Sequence, residues 1–279
     1  MRCHWVLPIL CIVEVLLAGC ADRRDTADRL ADSAGLRSQE LMTSTFRIRA
    51  YTRVLAPEAP LIIYIEGDGL AWVSRSEPSM DPTPRSPVGL LLASLDPSPN
   101  VIYLARPCQY VRNDPACRQA YWTDRRFSEE VVQSMNEAAN ALTAGRSGGG
   151  VHLVGYSGGA AIAVLIASRR RDVISLRTVA GNLDPEAVSR LHGVSQLAGS
   201  LNPKDVASTL AGLPQRHFVG GRDAVVPVSV ALSFLEAMGP TRCADLVTIK
   251  GASHGEGWED HWLTEGLNLP SCGDREPNR

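Results

Sequence analysis

The 279-residue sequence predicts an α/β domain built on a doubly wound, mostly parallel sheet, with flanking helices and at most a small cap. Three observations carry this reading. Short continuous apolar runs, such as Leu61-Ile-Ile-Tyr-Ile65 and Val101-Ile-Tyr-Leu104, have the length and character of central strands buried on both faces. Helix-forming segments alternate with them. Glycine-rich turns stand directly at several strand ends, the sharpest being Gly155-Tyr-Ser-Gly-Gly159, between the strand Val151–Val154 and the apolar helical run that opens at Ala160.

Composition bounds the class. Hydrophobic residues make up 44% and charged residues 21%, as in ordinary globular proteins. The net charge of −2, without a basic stripe, argues against a nucleic-acid partner. The length suits one large domain after removal of an N-terminal signal.

In chain order, residues 1–19 read as a signal peptide. Arg2 is a minimal positive start, and Trp5 to Leu17 form an apolar stretch too short to span a bilayer comfortably. It ends in Leu17-Ala18-Gly19-Cys20, which resembles the bacterial lipoprotein signal, although Glu14 interrupts the apolar run. The resemblance implies acylation of Cys20 and an anchor in the cell envelope, and Ala21 after the cysteine implies the periplasmic face of the outer membrane. Residues 20–44 are polar, with Asp and Arg interspersed, and read as a lipidated N-terminus and tether to a domain over 45–279.

Thr45 to Thr52 alternates at period two and reads as a half-exposed strand. Leu61–Ile65 follows as a buried strand and runs into Glu66-Gly67-Asp68-Gly69, where two glycines allow close backbone approach. Residues 75–87, rich in Ser and Pro, form a loop, and Val88 to Leu95 a helix. After the strand at 101–104 comes a long loop from Arg106 to Thr123. Its Tyr110, Tyr121, Trp122, Arg125 and Arg126 either line a pocket or make a small local core. Ser128-Glu-Glu opens a helix to about Thr143, with Ser128 as N-cap. Ser147-Gly-Gly-Gly150 is a hinge into the next strand.

Further strands are expected at 174–180, 215–219 and 245–250, with a helix over 228–238 and a last one from about Trp258. Residues 185–212 are poorly periodic and read as a small cap at most. The cysteines fit export. Cys108, Cys117, Cys243 and Cys272 remain beyond Cys20, an even number that allows three connectivities. The pairing expected is Cys108–Cys117, closing a short loop, with Cys243–Cys272, tying down the C-terminal segment. No C-x-x-C spacing supports a metal site, and no cofactor motif occurs.

Ser157, Asp223 and His254 each stand just past a strand end, in the order Ser, Asp, His. The spacing Gly155-Tyr-Ser-Gly-Gly159 matches G-x-S-x-G, in which Gly155 and Gly159 leave clearance for a tight turn and Gly158 opens its N–H to a developing oxyanion. Together with Ile65-Glu-Gly-Asp-Gly69, Asp81-Pro-Thr-Pro84, Arg106-Pro-Cys-Gln-Tyr110 and Ala180-Gly-Asn-Leu183, these motifs resemble a poorly characterised group of bacterial α/β-hydrolase lipoproteins over roughly residues 45–265. The resemblance implies an α/β-hydrolase fold and a serine hydrolase acting on a small acyl ester, with Ser157 as nucleophile, His254 as base and Asp223 as its acid. The N–H groups of Gly158 and Asp68 would form the oxyanion hole. A thioesterase, amidase or acyltransferase would use the same residues, and a binding lipoprotein without turnover would keep the fold alone. Asp184 is a rival acid. His261 lies in a helix, His152 and His217 read as core residues, and His192 belongs to the cap. Glu256 and Asp260 read as solvated or capping groups, and Trp258 and Trp262 as packing for the last helix.

Overall fold

A computed structural model describes residues 22–146 and 148–273. The signal segment, Cys20 and Ser147 lie outside them. Eight strands form one sheet: β1 (Arg37–Met42), β2 (Arg47–Val54), β3 (Leu61–Ile65), β4 (Asn100–Leu104), β5 (Val151–Tyr156), β6 (Val173–Val179), β7 (Gln215–Gly220) and β8 (Ala244–Ile249). Their order is β1-β2-β4-β3-β5-β6-β7-β8. Every pairing from β4 across to β8 is parallel, and β1 and β2 form an antiparallel edge against β4.

The helices are α1 (Arg23–Ser33), α2 (Val88–Leu95), α3 (Glu129–Thr143), α4 (Gly158–Ala167), α5 (Pro185–His192), α6 (Val228–Met238) and α7 (Glu259–His261). They divide into two layers because side chains on β3 alternate between faces. Leu61, Ile63 and Ile65 join an apolar cluster with Val131 of α3, Ile162 of α4 and Phe234 of α6. Ile62 and Tyr64 join another with Ala31 of α1, Leu90 of α2 and Trp262. Helices on both faces explain why the central strands read as continuous apolar runs.

The tether expected over residues 20–44 is corrected from Asp22 onward. Asp22 caps α1 by accepting from the Arg24 N–H at 3.0 Å. Ala27 and Ala31, four residues apart and fully buried, pack the helix inward beside Leu36, and α1 lies on α2. Tyr51 of β2 donates to Asp28 at 2.6 Å, and β1 completes the sheet edge. The contact face is made of alanines, so an apolar stripe is almost invisible among the charges of this segment.

Residues 185–212 differ as well. The first part is α5, capped by Asp184 and closed by Gly193 in the left-handed region at φ 60°. The second is a 3-10 helix, Pro203–Leu210, which packs on α4 and α6 and buries Ala207 and Leu210. This segment extends a helical layer of the sandwich.

Both expected disulfides are present, Cys108–Cys117 and Cys243–Cys272. The first staples the loop after β4, where Tyr110 is buried, Tyr121 meets Phe46 edge-on at 4.8 Å and Trp122 donates to the Ser79 carbonyl at 2.9 Å. Ser128 occupies the N-cap of α3, but its hydroxyl makes no cap hydrogen bond. Trp258 and Trp262 are buried in the cluster that also holds Tyr64 and Leu90.

The packing of α1 yields a direct test. Ala31→Leu adds volume where Ala31 is fully buried, and we expect a loss of about 1–3 kcal/mol in denaturant unfolding. A tether would show no change.

Candidate active site

In a sheet of this order the chain moves from β3 to β4 on one side and returns to place β5 on the other. The crevice beyond the carboxyl ends of β3 and β5 is therefore the place where such sheets bind ligands. Both glycine-rich turns emerge there.

The β5 turn is sharp because its backbone is held in an uncommon state. Ser157 has φ 50° and ψ −119°, outside the ordinary regions for a non-glycine residue. Hydrogen bonds hold it on both sides. Its N–H donates to the Val179 carbonyl at 2.9 Å, and its carbonyl accepts from the Asn182 and Ala160 N–H groups at 3.0 and 3.1 Å. A side chain at Gly155 would come within 2.6 Å of the Ala160 nitrogen. One at Gly159 would overlap the carbonyl oxygens of Ile65 and Glu66, and one at Gly158 the Asp68 carboxylate. Gly155 thus clears the turn's own helix start, while Gly158 and Gly159 let the β3 turn approach.

The structure brings Ser157, His254 and Asp223 into one hydrogen-bonded chain. Ser157 Oγ lies 2.9 Å from His254 Nε2, and His254 Nδ1 lies 2.9 Å from Asp223 Oδ2. A carboxylate only accepts, so Nδ1 carries the ring proton and Nε2 is left to accept from the serine hydroxyl. Asp223, on the turn after β7, is fixed through Oδ1, which accepts from the Val225 and Val226 N–H groups, each at 2.8 Å. The His254 carbonyl accepts from Trp258 Nε1 and from the Tyr156 hydroxyl, both at 3.1 Å. Tyr156, beside the serine, thus ties the β5 turn to the histidine turn.

The β3 turn carries Asp68 over Gly158. The Gly67 N–H is taken up by Glu66 Oε1 at 2.9 Å, whereas the N–H groups of Asp68 and Gly158 have no acceptor among the described residues. The Asp68 side chain is clamped by two guanidiniums, Arg106 at 3.2 Å and Arg126 at 3.0 Å. Glu66 is fully buried and braces the turn from behind. It also accepts from the N–H groups of Gly89 and Leu90 at the start of α2 and from the Tyr103 hydroxyl. Burial raises its pKa, and the bonds it accepts oppose that rise. Gln109 closes the brace, donating to the Gly67 carbonyl at 3.0 Å and accepting from the Arg106 N–H at 3.0 Å. Glu66, Gln109, Arg106 and Tyr156 lie within the motifs quoted from the sequence, but these roles could not be read there. Their value to the site comes from packing around two turns distant in sequence.

Ser157 and His254 open into a cleft of about 490 Å³ that Trp72, Arg85 and Arg126 help to line. Of the residues in the loop after β4, only Arg126 reaches it; Tyr110, Tyr121, Trp122 and Arg125 do not line it. Asp184 stands apart from the histidine. It accepts from the Ala187 N–H at 3.0 Å, from Ser233 at 2.7 Å and from Lys204 at 3.3 Å. Burial alone would raise its carboxyl, but these partners hold it below its ordinary value. His192 reaches the Val225 carbonyl at 2.8 Å, on the cleft rim. His261 lies in α7, and Asp260 in its first turn.

No protein-family profile matches the sequence, and comparison with curated proteins finds no match. Solved structures do match. An esterase from Pyrococcus furiosus superposes with a TM-score of 0.61 at 11% identity, over 84% of this chain and 91% of that one. The chain has the α/β-hydrolase fold. Within that fold, Est1E from Butyrivibrio proteoclasticus superposes at 0.58 and 15% identity, over 82% of this chain and 95% of that one. A puromycin-hydrolysing peptidase from Mycobacterium tuberculosis superposes at 0.59 and 17% identity, over 83% of this chain but 37% of its own. At these identities the likeness is one of architecture.

His152 and His217 are strand residues in the interior, bonded to Ser175 Oγ at 2.7 Å and Thr178 Oγ1 at 2.9 Å. Burial pulls each down to about 4. Their folded pKa values lie below the unfolded value of about 6.5, so the unfolded chain binds more protons under mildly acidic conditions. Their neutral burial carries no pH-dependent penalty above about pH 6.5, and stability falls as pH drops from there toward 4. In NMR titrations between about pH 7.5 and 5 both rings should stay neutral; a ring that protonates near 6.5 would contradict this environment.

Proposed function

We propose that this protein is a serine hydrolase that cleaves an acyl ester through a covalent acyl-enzyme. The observation that carries the proposal is the continuous hydrogen-bonded chain from Ser157 through His254 to Asp223, at 2.9 Å for each link, on the cleft floor at the topological switch point. The Pyrococcus furiosus esterase, which shares the fold, supports the same reading.

In this mechanism His254 Nε2 takes the hydroxyl proton as Ser157 Oγ attacks the carbonyl carbon. Asp223 stabilises the imidazolium and keeps Nδ1 protonated. The negative charge on the carbonyl oxygen falls to the N–H groups of Gly158 and Asp68, each worth about a hundredfold or more in turnover. Collapse expels the alcohol, which takes the proton from His254. Water, deprotonated by the same nitrogen, then attacks the acyl-enzyme, and Ser157 regains its proton as the acid leaves. The strained serine and the glycine clearance favour turnover over a binding role that merely retains the fold. The sequence before Asp22 adds a second component to the proposal: acylation of Cys20 anchors the domain in the bacterial envelope, at the periplasmic face of the outer membrane.

A fluorophosphonate probe should label the wild type and not Ser157→Ala; equal labelling of both removes Ser157 as nucleophile. On an ester, thioester and amide panel, Asp223→Asn should lower kcat by about 10⁴-fold. Asp184→Asn, which keeps a good α5 cap and loses only the charge paired with Lys204, should leave the rate nearly unchanged.

For the anchor, cells fed labelled palmitate should incorporate it into the wild type and not into Cys20→Ser. Undiminished labelling of the variant would refute the lipid site.

A further inference from the structure

The cleft beside Ser157 carries more positive charge than its fold or the ester chemistry requires. Arg85 lines it, is exposed, and makes no hydrogen bond or ion pair among the described residues. Arg126 also lines it, with its side chain 19% exposed. Its Nη1 is held by Asp68 at 3.0 Å, while its Nε is shielded from solvent and has no partner. Arg106 lies behind them, bonded to the other Asp68 oxygen at 3.2 Å and to the Arg126 carbonyl.

The surrounding acids do not cancel this charge. Asp68 is one carboxylate shared between two guanidiniums. Glu66 is buried and occupied by three N–H groups and a tyrosine hydroxyl. Asp223 is turned to His254 and to two backbone N–H groups. Glu129 and Glu130, the next acids in sequence after Arg126, pair with Arg169 and Arg125. One cation is thus left over from the Asp68 cluster, and Arg85 adds another. Guanidinium groups in this state suit an oxygen anion, which each can bind through two parallel N–H donors.

We infer that Arg85 and Arg126 form an anion-recognising wall of the cleft, and that the substrate is an ester carrying a second, anionic group, a carboxylate being the simplest. Asp68 serves this wall by fixing Arg126 at its edge. The inference rests on the hydrolase reading of Ser157 and adds the substrate class to it. In the low-salt limit, attraction between the wall and an anionic ester raises its capture relative to a neutral ester of equal size.

The test uses two matched pairs. Monomethyl adipate against methyl hexanoate places the anion on the acyl side. 4-Acetoxybenzoate against phenyl acetate places it on the alcohol side. In the wild type at low ionic strength, kcat/KM should favour the anionic member of at least one pair. Arg85→Gln should reduce that anionic-to-neutral ratio by about tenfold, as expected for loss of a charge-assisted contact. Added salt should reduce the ratio in the same direction. Because Arg85 is exposed and unpartnered, its replacement leaves the packing intact; Arg85→Lys should restore part of the ratio. Neutral esters turned over as fast as the anionic ones in both pairs, or a ratio unmoved by Arg85→Gln, would overturn the inference and leave the hydrolase reading standing. A protein that hydrolyses none of the four esters and is not labelled at Ser157 by a fluorophosphonate would overturn both.

Discussion

The turn leaving β5 rests directly against the turn leaving β3, with room for no side chain at Gly158 or Gly159. A methyl group at Gly159 would overlap the carbonyls of Ile65 and Glu66, and one at Gly158 the Asp68 carboxylate. This contact fixes the separation between Ser157 and the Asp68 backbone, and so the size of the space a reacting carbonyl could enter. It also holds Ser157 at φ 50°, because the flanking hydrogen bonds from Asn182 and to Val179 leave no slack for relaxation. The residues around the cleft are arranged to keep these two turns together.

Much of that arrangement is polar and buried. Glu66, without access to water, would cost several kcal/mol as an unpaired charge; here it accepts from α2, from its own turn and from Tyr103. Asp68 occupies a similar position one step nearer the serine, and its charge is countered by Arg106 and Arg126. Burial pulls Arg106 down to about 10, which still leaves it protonated at neutral pH. A network of this kind has to be completed as a whole, since removing one partner strands the others. It gives the β3 turn its rigidity without enlarging the apolar core.

Several parts of this design are legible in the sequence because they are local. The strand of Leu61–Ile65, the helix of Val88–Leu95 and the turn Gly155–Gly159 each contain their own signal. So does the placement of Asp223 and His254 at strand ends, and the structure brings those residues together with Ser157. The brace behind the site is not legible in this way. Glu66 stands beside a glycine turn, yet beyond Gly67 its partners lie 23 to 37 residues away in sequence. Tyr156 reaches a carbonyl 98 positions away. The N-terminal segment is hidden for another reason. Its inward face is built of Ala27 and Ala31, small enough to pack closely on α2 but too weakly hydrophobic to stand out among Arg and Asp.

That segment has a spatial consequence. Helix α1 begins at Arg23, and its cap, Asp22, is already bonded into the fold through Arg112 at 2.6 Å. Cys20 precedes this cap by two positions. Two residues reach only about 7 Å even when fully extended. A lipid carried there would hold the domain flush with the bilayer, without a leash on which to swing. The orientation of the cleft toward the membrane or away from it would then be built into the fold, and the molecules within reach would be those presented at one fixed height above the lipid headgroups.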